Sequence, residues 1–201
     1  MVQDKLQKSL EIFTAFIFLN VLWVLFCLPV LTIYPSTMAL FAVIRKWKKE
    51  EIDYDIWEVF ISSFKENMSR YFWAGLFWLL TGVLLIVDYY LLLTVPLEGK
   101  SFMSGLLFLG TFLYIGMTLW IFPVTVNFEL MKKETVKNTF LFTAGRMGTT
   151  CTIMIIFVCM IIFCYFVPFL LWIAGSLTGF LIYVTISHLN KEIWNGATDV
   201  N

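Results

Sequence analysis

From Ile12 to Ile44 the chain carries no charged residue, and from Thr149 to Leu189 it again carries none. A helix needs about 20 apolar residues to cross the hydrocarbon of a bilayer, so each run exceeds one crossing. A chain of 201 residues has no water-borne core large enough to hide both. The whole composition agrees: 60% of the residues are hydrophobic and 14% charged, against about 45–50% and about 25% in soluble domains. Lipid is therefore the expected solvent, and the 21 Phe, 8 Trp and 8 Tyr suit its interfaces. A formal net charge of zero argues against a nucleic-acid partner.

Prolines punctuate both runs. The first contains "PVLTIYP", with Pro29 and Pro35. The residue before a proline avoids the α region, so Leu28 and Tyr34 are expected to be extended. The stretch then reads as a turn, with Ser36 or Thr37 capping a second helix that ends near Trp47. That helix, residues 34–47, is short enough that a full crossing and a re-entrant hairpin both stay open. Irregular backbone at membrane depth is tolerated only against protein or a water-filled cavity. In the second run, Pro168 removes a backbone donor and clashes with the preceding turn, which places a turn at about residues 168–174. Residues 71–94 and 102–128 each suffice for one crossing.

Charge sets the orientation. The segment 45–70 holds six Lys/Arg (45, 46, 48, 49, 65 and 70) and 129–148 holds four (132, 133, 137 and 146), whereas Lys100 alone lies between the middle helices. Basic loops face the cytoplasm, and Lys5, Lys8 and Lys191 put both termini there too. Six crossings satisfy every segment, while the alternative of five leaves Lys5 and Lys8 outside. The N-terminal run is longer than a signal-peptide core and lacks a small-residue cleavage site, so it reads as a retained anchor.

The predicted fold is thus all-α, a polytopic membrane helix bundle forming a single integral membrane domain over residues 1–201. Transmembrane helices are expected at about 11–29, 34–47, 71–94, 102–128, 149–168 and 171–189. Two cytoplasmic interfacial amphipathic helices are expected at about 55–70 and 134–147. In the first, Trp57, Phe60, Ile61, Phe64 and Met68 recur on one helical face, with Asp55 and Glu58 as an N-terminal capping signature. In the second, Val136, Phe140, Ala144 and Met147 align. Each precedes a hairpin, which suggests two tandem copies of one unit.

Chemistry-bearing patterns are sparse. Cys27, Cys151, Cys159 and Cys164 fall in apolar segments without a C-x-x-C spacing and read as buried thiols. His188 stands alone near the end of the last helix. No nucleophile-elbow, zincin or phosphate-loop motif appears, so no catalytic residue, metal site or cofactor is expected. Asp88 is the one ionisable residue inside a spanning segment, and such residues are functional candidates by default. It lies six residues from the outer end of its helix, roughly 9 Å at 1.5 Å per residue. A carboxylate at headgroup level, bonded to Lys100 or Ser104, competes there with solute or partner contact. Asn20, in mid-helix, is either such a contact or an amide bonded to a neighbouring helix. Trp57, Phe60, Phe64 and Met68 form the candidate partner or membrane-surface face. Pro29, Pro35 and Pro168 mark turns, and Gly175 and Gly179 form a G-x-x-x-G packing face.

"LNVLWVLFCLPVLTIYPSTMALFAVIRKW" resembles the opening of the YesL-like family, multi-pass bacterial membrane proteins of unknown function. Asn20, Trp23, Pro29, Thr32, Pro35, Ser36 and Thr37 carry the resemblance, followed by "SFKEN" at 63–67. Where the family has glycine before the second proline, this chain has Tyr34. The resemblance implies a bacterial cell-membrane protein associated with carbohydrate utilisation, and it supplies no catalytic residue. The expected function is a non-enzymatic accessory to a carbohydrate-uptake or carbohydrate-sensing system. Its expected partners are the lipid bilayer and sugar ABC-transport permease components or a sensor kinase. The alternative is a small stand-alone solute transporter, acting as a homo-oligomer. The scarcity of intramembrane acids and bases favours the accessory.

Overall fold

In the computed structural model of the protein, which describes residues 2–50, 55–95, 99–128, 132–189 and 191, the first uncharged run folds into three pieces. These are α1 (Val2–Cys27), a 3-10 turn (Val30–Thr32) and α2 (Ile33–Lys49). Pro29 is extended, with φ −73° and ψ 111°. Pro35, by contrast, lies inside the first turn of α2, where a missing N–H removes no intrahelical bond. Tyr34 is consequently helical rather than extended. Ser36 and Thr37 do not cap α2 either. The Ser36 Oγ donates to the Phe26 carbonyl at 2.8 Å, and the Thr32 Oγ1 lies 2.6 Å from the same oxygen. These hydroxyls satisfy a carbonyl at the end of α1 that has no helical partner of its own. The Thr37 Oγ1 donates back to Ile33 O at 2.7 Å.

The short α2 is the centre of the bundle. Its Met38, Ala39, Leu40, Val43 and Ile44 are buried, and α1, α3, α4 and α7 surround it. That enclosure is the setting in which a 17-residue helix and its irregular entry can sit at membrane depth.

Downstream come α3 (Ile56–Thr94), α4 (Lys100–Phe128), α5 (Lys132–Gly145) and α6 (Met147–Phe166). A 3-10 turn (Pro168–Trp172) and α7 (Ala174–Leu189) complete the chain. Among the described residues there is no strand, so the all-α reading is met. Four helical stretches are long and apolar enough to cross a membrane: Leu6–Cys27, Ile56–Thr94, Lys100–Phe128 and Met147–Phe166. The seventh helix is three residues shorter than expected at its start, because residues 171–172 belong to the Pro168 turn and Ile173 ends it.

One boundary is corrected. The expected surface helix 55–70 and the expected crossing 71–94 are a single helix of 39 residues, about 58 Å long at 1.5 Å per residue. The junction "NMSRYFW" contains no glycine or proline, so nothing stops helix propagation. A rod of this kind cannot lie flat in the headgroups and then turn to cross. Its first half packs on α1 and α2: Phe60 is fully buried, and the Phe26 ring lies 5.5 Å from Phe60 and 4.8 Å from Phe64. Lys46 pairs with Asp55 at 3.6 Å near the start of the helix. The second half pairs with α4, where Trp78 stacks on Tyr114 at 5.0 Å.

The two amphipathic helices are used in opposite ways. In α3 the apolar stripe turns inward, except for the exposed Trp57. In α5 it turns outward: Val136, Phe140 and Ala144 are exposed, while Thr135, Thr139 and Thr143 are buried on the side facing α4; Met147, also exposed, opens α6 instead. This difference is not what tandem copies would give. The expectations for the middle of the 95–101 loop, for the tail beyond Lys191, and for the side chains of Lys5, Lys132 and Lys133 lie outside the described residues.

Candidate functional site

The residue before α7 is Ile173, which offers no side-chain oxygen to cap the helix. Its first N–H groups still need acceptors. Asn20 of α1 supplies one from across the bundle: its Oδ1 accepts from Gly175 N at 2.9 Å and from Ser176 N at 3.2 Å. Its Nδ2 donates to Leu171 O at 2.9 Å. Both ends of the amide are thus engaged on α7 and its turn, and Asn20 is buried, the arrangement of an amide bonded to a neighbouring helix. The Ser176 Oγ adds a bond to Phe16 O at 2.8 Å.

Close approach explains the G-x-x-x-G face. A methyl added at Gly175 would sit 2.5 Å from the Trp23 ring, and one at Gly179 would sit 2.7 Å from Leu40 Cδ2. The two glycines therefore pack α7 on α1 and α2 within one chain. Gly75 does the same for α3, since its added methyl would sit 2.6 Å from Tyr34 Cβ. Tyr34 is thus matched by a glycine on the facing helix.

Between α2, α3, α4, α6 and α7 these packings leave a cavity of about 670 Å³. Small-molecule sites fall in the range of about 300–1,000 Å³. Trp23, Tyr34, Phe41, Trp78, Tyr114 and Phe122 supply its aromatic walls, with Thr37, Thr118 and Thr178 as hydroxyl-bearing members. Those polar groups are bonded within the protein. Trp23 Nε1 donates to Thr37 Oγ1 at 3.2 Å, and Trp78 Nε1 donates to Thr118 Oγ1 at 3.0 Å. Thr118 in turn donates to Tyr114 O at 2.7 Å, Tyr114 OH to Trp78 O at 3.1 Å, and Thr178 to Ala174 O at 2.6 Å. What the site presents is aromatic and aliphatic surface, with no Asp, Glu, Lys, Arg or His in its wall. Its chemistry is that of apolar binding.

The sequence gives no pointer to this cavity. Trp78, Tyr114 and Thr118 sit in segments where nearly every neighbour is apolar, so no periodicity singles them out. The nearest available signal was the pair of Trp and Thr residues, two side chains that each need a partner when buried in lipid.

Other expected site residues lie elsewhere. Asp88 is on the exposed surface of α3, and Ser104 spends its hydroxyl on Ser101 O at 2.8 Å. Asp88→Asn is accordingly expected to leave the thermal midpoint in detergent unchanged within about 0.5 kcal/mol, as for an unpartnered surface position. A clear drop in the midpoint would show that the carboxylate is held by a bond in the folded bundle. His188 occupies the last turn of α7 and is exposed. The four thiols are free, but Cys151 and Cys159 are exposed on α6 rather than buried, because a helix apolar all round needs only one face for packing. Among the described residues no three His, Cys, Asp or Glu side chains converge to hold a metal.

Comparison with known proteins places the chain. A family model described as "Protein of unknown function, DUF624" matches residues 16–89. The uncharacterized protein YesV of Bacillus subtilis (strain 168) is 30% identical over 183 residues, covering 89% of this chain and 84% of its own length. YesL of the same organism, also uncharacterized, is 28% identical over 181 residues, covering 82% of this chain and 79% of its own. YteU, likewise uncharacterized, is 28% identical over 156 residues, covering 76% and 70%. No solved structure matches. Similarity of this extent to YesV, with the family pattern falling on α1, α2 and most of α3, makes the chain a member of the YesL-like, DUF624 family of proteins of unknown function.

Proposed function

We propose that this multi-pass membrane protein is a non-enzymatic accessory to a carbohydrate-uptake or carbohydrate-sensing system, seated in the bacterial cell membrane with both termini cytoplasmic. Sugar ABC-transport permease components or a sensor kinase are its proposed partners. The observation that carries the reading is the chemistry of the cavity. A sugar leaving water needs its hydroxyls bonded again, or it loses the desolvation free energy of each. The indole, threonine and Tyr114 donors that line the cavity are already engaged, and its wall has no acid or base for ion coupling. Handling of the sugar therefore falls to a partner. The charge asymmetry of the loops supports the orientation, and the family resemblance supports the carbohydrate connection.

The face available for that partner is the outward stripe of α5, with Val136 and Phe140 exposed, not the stripe of α3, whose Phe60 is inside the bundle. Apolar anchors at helical spacing are what a groove on a second protein reads. The double change Val136→Ser with Phe140→Ser is expected to lose any copurifying permease or kinase component, while the protein still inserts and elutes as one species. Retention of the partner by the variant would remove α5 from the interface. Purified protein that moves a sugar across liposomes by itself would replace the accessory reading with the stand-alone transporter.

A further inference from the structure

The cavity takes a ligand that neither the family nor the accessory role assigns, and its walls say which chemistry. Four of its lining residues are also among the chain's exposed side chains: Ile115 on α4, Phe157 and Ile161 on α6, and Leu171 in the Pro168 turn. These frame a mouth between α4 and α6. Both helices are among the stretches long and apolar enough to cross a membrane, so the medium at that mouth is hydrocarbon. Inside, the Thr37, Thr118, Thr178 and Tyr114 hydroxyls and the Trp23 and Trp78 N–H groups are bonded to protein. Water needs two to four polar partners to stay in a buried site, and this wall leaves it few. A saturated chain loses nothing on entering, because it exchanges lipid contacts for protein contacts of closer packing.

We propose that the cavity binds one acyl chain of a membrane phospholipid, which enters from the bilayer between α4 and α6 and lies against the stacked Trp78 and Tyr114 rings. The headgroup stays outside the mouth, since nothing charged lines the interior to receive it. This site is independent of the partner role: it holds whether or not α5 docks on a second protein.

The test uses the full chain in detergent, titrated with phosphatidylcholine brominated on one acyl chain, with tryptophan fluorescence as the readout. Trp23 and Trp78 line the cavity, so a chain held inside quenches them by contact. Saturable quenching at about one phospholipid per chain is expected for the natural protein. Thr178→Phe and Ala174→Leu, which fill the cavity from α7, should each weaken apparent affinity at least tenfold. Val87→Phe, on an exposed part of α3 outside the cavity, should not change it. Quenching that rises without saturation, equally in all four proteins, would mean that lipid merely coats the outside and would overturn the site. Saturation by a brominated free fatty acid but not by the phospholipid would also overturn it, since the occupant would then be a soluble chain. Should both filling variants fail to elute as single species, the natural protein's curve decides alone, together with Trp78→Phe. That variant must lose a large part of the saturable signal.

Discussion

Trp120→Ala is expected to lower the stability of the bundle by about 3–5 kcal/mol, the range for removing a buried tryptophan. In a protein of this length that corresponds to a fall of roughly 10 °C in the midpoint. Trp120 belongs to α4 and is fully buried. Its ring stacks on Phe142 of α5 at 5.4 Å with an interplanar angle of 11°, and its Nε1 donates to Thr150 Oγ1 of α6 at 3.0 Å. The Thr150 hydroxyl lies 3.0 Å from Thr143 O and 3.1 Å from Arg146 O, where α5 ends. One turn before Trp120, Gly116 leaves room for the Thr143 methyl, which an added methyl would approach to 2.7 Å. A single side chain thus joins three helices, and alanine leaves both a void and an indole-sized gap in the bonding of Thr150. Trp120→Phe separates the terms: it keeps much of the packing and loses the bond, for about 1 kcal/mol. The temperature at which half of the monodisperse detergent peak is lost measures both. If Trp120→Ala lies within a degree or two of the natural protein, α5 is not held to α4 in the way described.

Asn20→Leu is expected to cost about 2–4 kcal/mol, from three hydrogen bonds lost and three backbone groups left without this partner. Leucine fills nearly the same space, so the loss reads as bonding rather than as a cavity. Interhelical side-chain bonds in membranes are often worth less than this, about 0.6 kcal/mol on average. The larger figure applies because the Gly175 and Ser176 N–H groups open a helix whose preceding residue, Ile173, has no capping oxygen. Asn20→Asp should retain much of the stability, since a carboxylate still accepts from both N–H groups at a helix N-terminus, where negative charge is favoured. It loses the donation to Leu171 O and sets a carboxylate oxygen against that carbonyl, so part of the stability is still lost. Equal destabilisation by Leu and Asp would mean that the Leu171 bond, not the cap, carries the effect. Faster hydrogen exchange at the first turn of α7 in Asn20→Leu is the local readout of the same event.

Individual residues show how far the sequence could be read. Asn20 was visible as an anomaly, because an amide in an apolar helix needs a partner; which helix provides it depends on a chain separation of 155 residues. Gly175 and Gly179 announced a packing face by spacing alone, yet their partners Trp23 and Leu40 are known only from the fold. Tyr34 was misjudged. The extended bias of a residue before proline is only a preference, and because Pro35 falls in the first turn its missing N–H breaks no helical bond, so the chain stays helical. The α3 stripe was read correctly as an apolar face and wrongly as one resting outside the bundle. Periodicity gives the direction of a face relative to its own helix and says nothing about what lies opposite.

What the sequence determined by itself is the solvent, the helical class and the turns at Pro29 and Pro168, since these follow from composition, from run length against bilayer thickness, and from the missing proline N–H. Those are local or bulk properties, computable one segment at a time. Only the tertiary structure decided that α2 is the enclosed centre, that α3 is one rod, that α5 faces its apolar stripe outward, and that the aromatic walls close around a cavity. Each of these depends on which helices touch. In a chain whose membrane-crossing stretches are largely apolar on all sides, hydrophobic patterning cannot choose the neighbours. Close contacts at Gly75, Gly175 and Gly179 and the few hydrogen bonds of Asn20, Trp78 and Trp120 make that choice.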